Sequence, residues 1–315
     1  MSVAGEKLCA WAGGSKGGHS SNIANPFRSP QASLVPSVDS IKGLLMRSLS
    51  SVAFPLVVFL AMACSPTSGE GSSAKATVEL EPQTVSSLEG DFLYHVVMLR
   101  AAPGRLLDLI ELLKEERDLL RDAGEPLPYW MRHTQGDQWD LLLLYPMENF
   151  HDYFEPGRTL RRLESGTQKG LSEEQLKLEA ARITSWRDEM FVRGPAPEVV
   201  DSAFQENAFY HVEMFVALAG RQRELLEERR MENHYLRELD RPQNLIFVRE
   251  AGGPWDSFTL GFYRDLKHYS ESADIPAEAE DLAAKSAGFE GSDRIGSYLR
   301  RLILYHRDTL CVAIN

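Results

Sequence analysis

The chain has 315 residues, of which 43% are hydrophobic and 25% are charged, and its formal net charge is −12. This composition is typical of a folded protein and excludes a disordered chain, and the length allows two modest domains or one large one. The acidic balance argues against a general nucleic-acid-binding protein, which needs a basic surface. Three cysteines, Cys9, Cys64 and Cys311, are too few for a disulfide scaffold.

The N-terminal part of the chain contains a targeting pattern. Residues 1–45 are rich in Ser, Gly and Pro without hydrophobic periodicity, and we interpret them as an over-extended gene start or a disordered N-terminus. Residues 46–64 combine a basic start, an uncharged apolar run and small residues before Cys64, which is the layout of a signal peptide. The apolar run is too short for a transmembrane helix. The polar composition of residues 65–90 predicts a flexible tether.

The run over 46–64 resembles a bacterial lipoprotein signal, although Ala61 stands where that pattern has Leu. The resemblance implies that Cys64 becomes the mature N-terminus and carries fatty acids such as palmitate. Ser65 stands where a retention signal has Asp, which implies an outer-membrane lipoprotein facing the periplasm or the surface. Two alternatives stay open, namely an organellar transit peptide over 1–63 and an ordinary thiol at Cys64.

The chain contains an internal duplication at an offset of 116 residues. Tyr94-His-Val-Val-Met aligns with Tyr210-His-Val-Glu-Met near the start of each copy. Over residues 94–153 and 210–269 the copies share 18 identities in 60 positions without a gap, whereas unrelated sequences of this composition share roughly 4. The chain is therefore predicted to contain two homologous units.

Both copies predict the same order of elements. A β-rich strand comes first, then an amphipathic helix, two short strands joined by a Gly-containing hairpin, a second helical stretch and a last strand. In copy one these are a strand at 93–99, a helix through 106–120, strands at 127–132 and 139–145, a helix capped by Ser172 and a strand at 186–193. The corresponding strands of copy two are at 209–215, 245–249, 255–262 and 305–314.

This βαββαβ order, found twice, is that of the ferredoxin-like unit. We assign residues 91–194 to repeat 1, 195–205 to a linker and 206–315 to repeat 2. The predicted strands are apolar on both faces, so the open face of each four-stranded sheet must be covered, and the other repeat is the candidate.

Over residues 91–315 the chain resembles the dimeric α/β-barrel superfamily, which includes stress-response, NIPSNAP-like and antibiotic-monooxygenase-like branches. The resemblance lies in the element order, the His95-Val-Val-x-Leu99 run and Pro103-Gly104 before the first helix. It implies an α+β fold in which two tandem ferredoxin-like repeats form an intramolecular barrel, a pseudo-dimer that encloses an apolar cavity.

His95 and His211 occupy the same position in the first strand of each repeat. Strand alternation places two sets of residues on matching faces: His95, Val97 and Leu99, and His211, Glu213 and Phe215. By the resemblance, a strand-one histidine faces the cavity in some stress-response-type barrels and acts as an acid or base. The alternative is a structural histidine that is hydrogen-bonded to a neighbour.

Repeat 2 is polar at positions where repeat 1 is apolar. Glu213 aligns with Val97, while Ser257 and Thr259 align with leucines. If these residues share the open face with His211, they form a polar cluster in which a carboxylate orients the imidazole as a general base. We therefore predict His211, Glu213 and His95 as catalytic residues. The predicted ligand contacts are Val97, Leu99, Phe215, Ser257 and Thr259.

Other candidate sites have weaker support. His211 and Glu213 offer two metal ligands, but no third ligand can be identified from the sequence, so no metal site is predicted. No cofactor is predicted either, although haem on a strand-one histidine stays open because relatives in this superfamily bind haem. Trp139 and Trp255, each followed by Asp, are predicted hairpin anchors. Arg158, Arg161 and Arg162 are predicted to form a solvated helix face.

The sequence thus predicts an envelope lipoprotein that binds a small hydrophobic molecule in a barrel cavity and has no nucleic-acid partner. One alternative is a cofactor-independent oxygenase, cyclase or isomerase that uses His211 as its base. Another is a structural or interaction lipoprotein without a site. Catalysis requires the histidine to face the cavity, whereas binding requires only volume.

Overall fold

The computed structural model of the protein describes residues 88–170 and 172–314. The predicted gene start, signal peptide and lipidation site at Cys64, and most of the tether, lie outside these residues and stay predictions. Within the described part of the chain, no helix combines the length and the apolar composition that crossing a membrane requires.

Repeat 1 has the predicted order of strands, and its helical stretch between the third and fourth strands is divided into three helices. Its elements are β1 (Phe92–Ala101), α1 (Leu106–Asp122), β2 (Tyr129–Gln135), β3 (Leu141–Met147), α2 (Phe150–Tyr153), α3 (Pro156–Lys169), α4 (Glu173–Ile183) and β4 (Thr184–Gly194). Gly124 follows α1 with a φ of 70°, which glycine adopts without strain. The Ser172 hydroxyl accepts a hydrogen bond from the Gln175 N–H at 3.3 Å and so caps α4.

Repeat 2 follows the same plan after helix α5 (Pro197–Glu206). Its elements are β5 (Phe209–Ala217), α6 (Gln222–Glu238), β6 (Leu245–Gly252), β7 (Ser257–Tyr263), α7 (Leu266–Ser270), α8 (Ala277–Ser286), α9 (Ile295–Arg300) and β8 (Ile303–Ala313). Short 3₁₀ turns at Glu271–Asp274 and Ser292–Arg294 separate its last helices.

The eight strands form one closed antiparallel barrel in the order β1-β3-β2-β8-β5-β7-β6-β4. Each repeat supplies one four-stranded sheet, and the two sheets join along two seams, β2 with β8 and β4 with β6. The predicted fold is therefore confirmed: two ferredoxin-like units pair within one chain. Closure also leaves no strand of the barrel with an unpaired edge, which removes a common route to aggregation.

The interior of the barrel is filled by side chains from all eight strands. Tyr94, Val96 and Met98 point inward from β1, and their counterparts in β5 are Tyr210, Val212 and Met214. The Phe247 and Phe258 rings are stacked in this core with their centroids 4.7 Å apart. The barrel therefore has a packed core where the sequence predicts an apolar cavity, because aromatic and Met side chains occupy the inward positions.

The outer face of each sheet is covered by helices. In repeat 1, Val97 and Leu99 pack with Leu109 and Leu113 of α1. In repeat 2, Phe215 packs with Leu225 of α6 and with the start of β8. Burial of such apolar side chains stabilises each helix on its sheet by about 25 cal/mol per Å² of area removed from water.

Helix α5 closes one end of the barrel. The sequence predicts only a linker over 195–205, but Val200 is fully buried and packs into the barrel core. The Tyr94 hydroxyl donates a hydrogen bond to the Pro195 carbonyl at 2.7 Å, and the Tyr129 hydroxyl donates to Asp201 at 2.6 Å. The connection between the repeats is thus part of the core.

The two Trp-Asp pairs are equivalent hairpin anchors. Asp140 accepts a hydrogen bond from the Ala101 N–H at 2.8 Å, and Asp256 accepts one from the Ala217 N–H at 2.9 Å. Both bonds tie the start of the third strand of a repeat to the end of its first strand. The adjacent Trp139 and Trp255 are buried in the barrel core.

Phe247→Ala is expected to lower the free energy of unfolding by about 3–5 kcal/mol, because it leaves a cavity in the barrel core. The matched control is Phe154→Ala, since Phe154 is 62% exposed and its removal leaves no closed cavity. Chemical denaturation of both variants measures the difference. Equal losses in the two variants would contradict the packed interior.

Candidate functional site

The strand-one histidines lie on the outer face of the sheet, beneath the helices. His95 shares its face with Val97 and is opposite Tyr145 of β3 and Phe191 of β4. The inward positions of the same strand are occupied by Tyr94 and Val96. The expectation that these histidines face a barrel cavity is therefore wrong, because strand alternation sends them to the helix-covered side.

In repeat 1 the histidine joins a tyrosine to a carboxylate. His95 Nε2 is 2.7 Å from Glu189 Oε2, and His95 Nδ1 is 2.9 Å from the Tyr153 hydroxyl. The imidazole also stacks on Phe191 with the ring centroids 4.8 Å apart. Glu189 in turn accepts a hydrogen bond from Arg187 Nε at 2.6 Å.

The pKa shifts assign the protons in this set. Burial lowers the pKa of His95, although the bond to Glu189 opposes that effect. The hydrogen bond from Arg187 lowers the pKa of Glu189, and burial raises the pKa of Tyr153 to about 12. At neutral pH the tyrosine hydroxyl therefore donates to Nδ1 of a neutral imidazole, whose Nε2–H donates to the carboxylate.

A buried ion-pair network holds Tyr153 in place. Arg158 donates a hydrogen bond to the Tyr153 carbonyl at 2.9 Å and lies over its ring. Arg158 and Arg162 both form ion pairs with Glu125, whose side chain is almost completely buried. The prediction of a solvated face is therefore wrong for these two arginines. Arg161 alone of the three has an exposed side chain.

Repeat 2 contains an equivalent but altered set. His211 Nε2 is 3.4 Å from Asp308 Oδ1, and the ring of Tyr269 lies edge-on to the imidazole with a centroid distance of 5.5 Å. Asp308 is opposite Glu213 across β5 and β8, just as Glu189 is opposite Val97 across β1 and β4. Both repeats thus place a Tyr, a His and a carboxylate together.

Glu213 extends the set of repeat 2 into a buried ionic cluster. It accepts a hydrogen bond from Thr259 Oγ1 at 3.4 Å and lies 3.6 Å from Arg229 Nη1. Arg229, on α6, also forms ion pairs with Glu228 and Glu232. Burial raises the pKa of Glu213, and it raises the pKa of Glu228 to about 7. Arg229 is therefore the shared cationic partner of three glutamates.

The structure brings together His211, Glu213 and Thr259 as predicted, but on the helix-covered face. Ser257 of β7 is opposite Phe215 of β5, and the buried Ser257 hydroxyl has no hydrogen-bond partner among the described residues. The predicted ligand contacts Val97, Leu99 and Phe215 are buried under the helices. These five predicted contacts lie outside the linings of the two pockets at the barrel ends.

The first pocket has a volume of about 830 Å³ and lies beside α5 at one end of the barrel. We call it the α5 pocket. Its apolar lining includes Val199, Ala203, Leu245 and Phe262, and its polar lining includes Ser202, Glu206, Gln243, Arg264 and His268. An apolar floor with a few polar groups around it is the usual chemistry of a small-molecule site.

The second pocket, the tryptophan pocket, has a volume of about 510 Å³ and lies beside the hairpins. It is lined by equivalent residues of the two repeats, Trp139 with Trp255, and by Trp186, Tyr305, Asp188 and Arg307. The indole N–H of Trp139 is buried and has no hydrogen-bond partner among the described residues. The hairpin anchors thus also line a surface depression.

The residues around His95 do not fit a haem group. A haem iron needs a free histidine nitrogen and open space in front of it for the macrocycle. Both ring nitrogens of His95 are hydrogen-bonded and its face is covered by Phe191.

Sequence reasoning missed the partners of the two histidines. Tyr153 and Tyr269 align at the repeat offset, which is a signal that could have identified them. Glu189 and Asp308 could be identified only from the register of the last strand against the first. Arg229 replaces Leu113 of repeat 1 at a buried position of the helix, and that substitution is also visible in the sequence.

No family model matches the chain, and no curated protein matches it. Solved structures do resemble it. An anthrone oxidase-like protein is 10% identical with a TM-score of 0.47 and covers 73% of this chain and 94% of its own. A candidate monooxygenase from Lactobacillus acidophilus is 8% identical with a TM-score of 0.42, covering 71% of this chain and 100% of its own.

A chlorite dismutase variant from Candidatus Nitrospira defluvii is 12% identical with a TM-score of 0.40, and covers 72% of this chain and 92% of its own. The likeness concerns the fold.

Glu189→Gln is expected to lower the pKa of His95 further. The carboxylate favours the imidazolium, so its removal leaves burial, which disfavours the charged form, unopposed. NMR titration of the His95 ring measures the change. The control is Glu115→Gln, which removes one exposed carboxylate from α1. An unchanged His95 pKa in Glu189→Gln would contradict the hydrogen-bond assignment.

Proposed function

We propose that the protein binds a small, mainly apolar molecule in the α5 pocket. The observation that carries this proposal is the pocket itself, which has an apolar floor of core side chains and a rim of polar ones. Its volume of about 830 Å³ lies within the range of small-molecule sites. The sequence predicts a binding site in the interior of the barrel, whereas we propose a binding site at one end of it.

The rim of the α5 pocket favours a ligand with a polar end. Arg264 and His268 can donate hydrogen bonds, whereas Glu198 and Glu206 accept them. The floor residues Leu245 and Phe262 belong to the barrel core, so they present a rigid apolar surface. We expect an amphipathic molecule that lies with its apolar part on this floor.

A second candidate function is acid–base chemistry at His95. The hydrogen bonds from Tyr153 through His95 to Glu189 form a chain along which a proton can move. The tyrosine would take a proton from a bound substrate as its own proton passes to the imidazole. The titration of His95 in Glu189→Gln measures the coupling on which this candidate depends.

We also propose that lipid on Cys64 holds the protein at a membrane of the cell envelope. The support is the signal-like run over 46–64 and the polar residues that follow it. The two alternatives are an unmodified thiol at Cys64 and an organellar transit peptide. In contrast to the proposal, both predict that Cys64 is not acylated.

Ser202→Trp is expected to weaken binding of the apolar probe anilinonaphthalene sulfonate about tenfold or more, a loss of at least about 1.4 kcal/mol. Ser202 lines the α5 pocket and is exposed, so a large ring there fills the pocket without entering the core. The matched control is Gln205→Trp, on the exposed part of the same helix. Fluorescence titration of the full chain measures both.

Equal binding by wild type, Ser202→Trp and Gln205→Trp would contradict the α5 pocket as the binding site. Native mass spectrometry of the purified full chain adds an independent measurement. A co-purifying molecule that is present with Gln205→Trp and absent with Ser202→Trp would identify the natural ligand class.

Cys64→Ser is expected to abolish incorporation of an alkyne-labelled palmitate and to move the protein from the membrane fraction to the soluble fraction. Cys9→Ser is the matched control and keeps both properties, because Cys9 precedes the predicted cleavage point. Labelling in a bacterial host, followed by fractionation, measures both. Label retained on Cys64→Ser would overturn the lipid-anchor proposal.

A further inference from the structure

Three metal-ligating side chains converge on the outer face of repeat 2. His211, Glu213 and Asp308, which we call the HED cluster, each offer one ligand atom, and these atoms all lie within 4.8 Å of one another. Two adjacent strands position them. His211 and Glu213 are two residues apart on β5, and Asp308 is opposite Glu213 on β8.

The spacing suits a single small cation. Ligand atoms bound at about 2.1 Å from one ion lie about 3 Å apart when adjacent and about 4.2 Å apart when opposite. His211 Nε2 and Asp308 Oδ1 are 3.4 Å apart. Small side-chain rotations therefore suffice to bring all three donors into one coordination shell.

The charges around the HED cluster also favour a cation. The carboxylates of Glu228 and Glu232 are in direct ion pairs with Arg229, whereas the nearest atom of Arg229 lies 3.6 Å from Glu213. Three carboxylates therefore share one guanidinium, and Glu213, which is 5% exposed, is the one farthest from it. Buried carboxylates are stabilised by a paired charge or by a metal ion.

The HED cluster is open on one side. The Asp308 side chain is 44% exposed, so an ion can enter from solvent and keep water on its remaining positions. His306 Nε2 lies 3.2 Å from the second oxygen of Asp308 and orients that carboxylate from behind. The site thus has three protein donors, a supporting histidine and free positions.

We propose that the HED cluster binds one divalent first-row transition-metal ion, such as Mn²⁺, Fe²⁺ or Zn²⁺. One imidazole and two carboxylates are donors that these ions accept, whereas Ca²⁺ prefers an all-oxygen shell of six or more ligands. Repeat 1 serves as an internal comparison. It has His95 and Glu189 at the matching positions but Val97 in place of Glu213, which leaves two donors and no site.

The test uses the untagged full chain after treatment with a chelator. Mn²⁺ is titrated by electron paramagnetic resonance, and Zn²⁺ and Ca²⁺ by calorimetry, before and after substitution of each ligand. We expect one Mn²⁺ or Zn²⁺ per chain and weaker binding of Ca²⁺. Asp308→Asn and His211→Gln should each weaken Mn²⁺ binding about tenfold or more, because each removes a donor.

The matched controls are His95→Gln and Glu189→Gln, which remove the corresponding groups of repeat 1 and should leave Mn²⁺ binding unchanged. The Mn²⁺ measurement separates the HED cluster from the cysteines, since Mn²⁺ prefers oxygen donors to thiolates. Asp308→Asn keeps the size of a half-exposed side chain, so a thermal melt should show a folded protein.

Absence of Mn²⁺ and Zn²⁺ binding by the folded wild-type chain would overturn the proposal. So would binding that is weakened equally by substitutions in repeat 1 and in repeat 2, since it would then be unrelated to the HED cluster. Binding that is lost with Asp308→Asn and kept with Glu189→Gln would support it.

Discussion

Packing inside the closed barrel is the interaction on which the rest of this structure depends. Neither four-stranded sheet can bury its inner face alone, and each finds its partner in the other repeat of the same chain. Side chains from all eight strands fill the interior, so the seams, the helix layers and the pockets are all positioned by one core. The two pockets described above lie at the ends of that core, and the strand-one histidines lie on the outer faces of the sheets.

The outer faces of the two repeats pack against their helices through different kinds of side chain. Repeat 1 packs α1 on the sheet through leucine and valine side chains. Repeat 2 has an arginine, three glutamates and a threonine at the corresponding interface. A buried ionic cluster of this kind contributes less to stability than well-packed apolar side chains, because each charge must be removed from water. Its presence beside an arrangement of Tyr, His and carboxylate that both repeats share points to a role other than stability.

The sequence was sufficient to predict the fold because the two copies repeat the same periodic pattern. The positions of β1 and β5, the end of α1 before Gly124 and the Trp-Asp anchors all follow from local chemistry. Local chemistry does not determine which face of each strand is turned toward the barrel interior. Alternation separates His95 from Tyr94, but both strand faces are apolar, and the pattern alone does not tell which one is turned inward.

The partners of the histidines were beyond the sequence for a related reason. Glu189 reaches His95 because β4 pairs with β1 in one particular register, and a shift of one residue would turn Glu189 to the barrel interior. Register of this kind is set by the completed barrel rather than by any local pattern. Helix α5 was missed because a ten-residue helix that begins at a proline has too few turns for a clear apolar periodicity.

The covalent connection through α5 has an evolutionary consequence. In a barrel made of two identical chains, every substitution occurs twice, so a buried charge that is tolerable once must be accommodated at both symmetric positions. In this chain the two halves are encoded separately, and a change at Glu213 leaves Val97 untouched. One half can therefore keep an apolar interface that maintains the fold while the other half acquires polar side chains. The tandem arrangement therefore allows the two halves of the barrel to differ from each other.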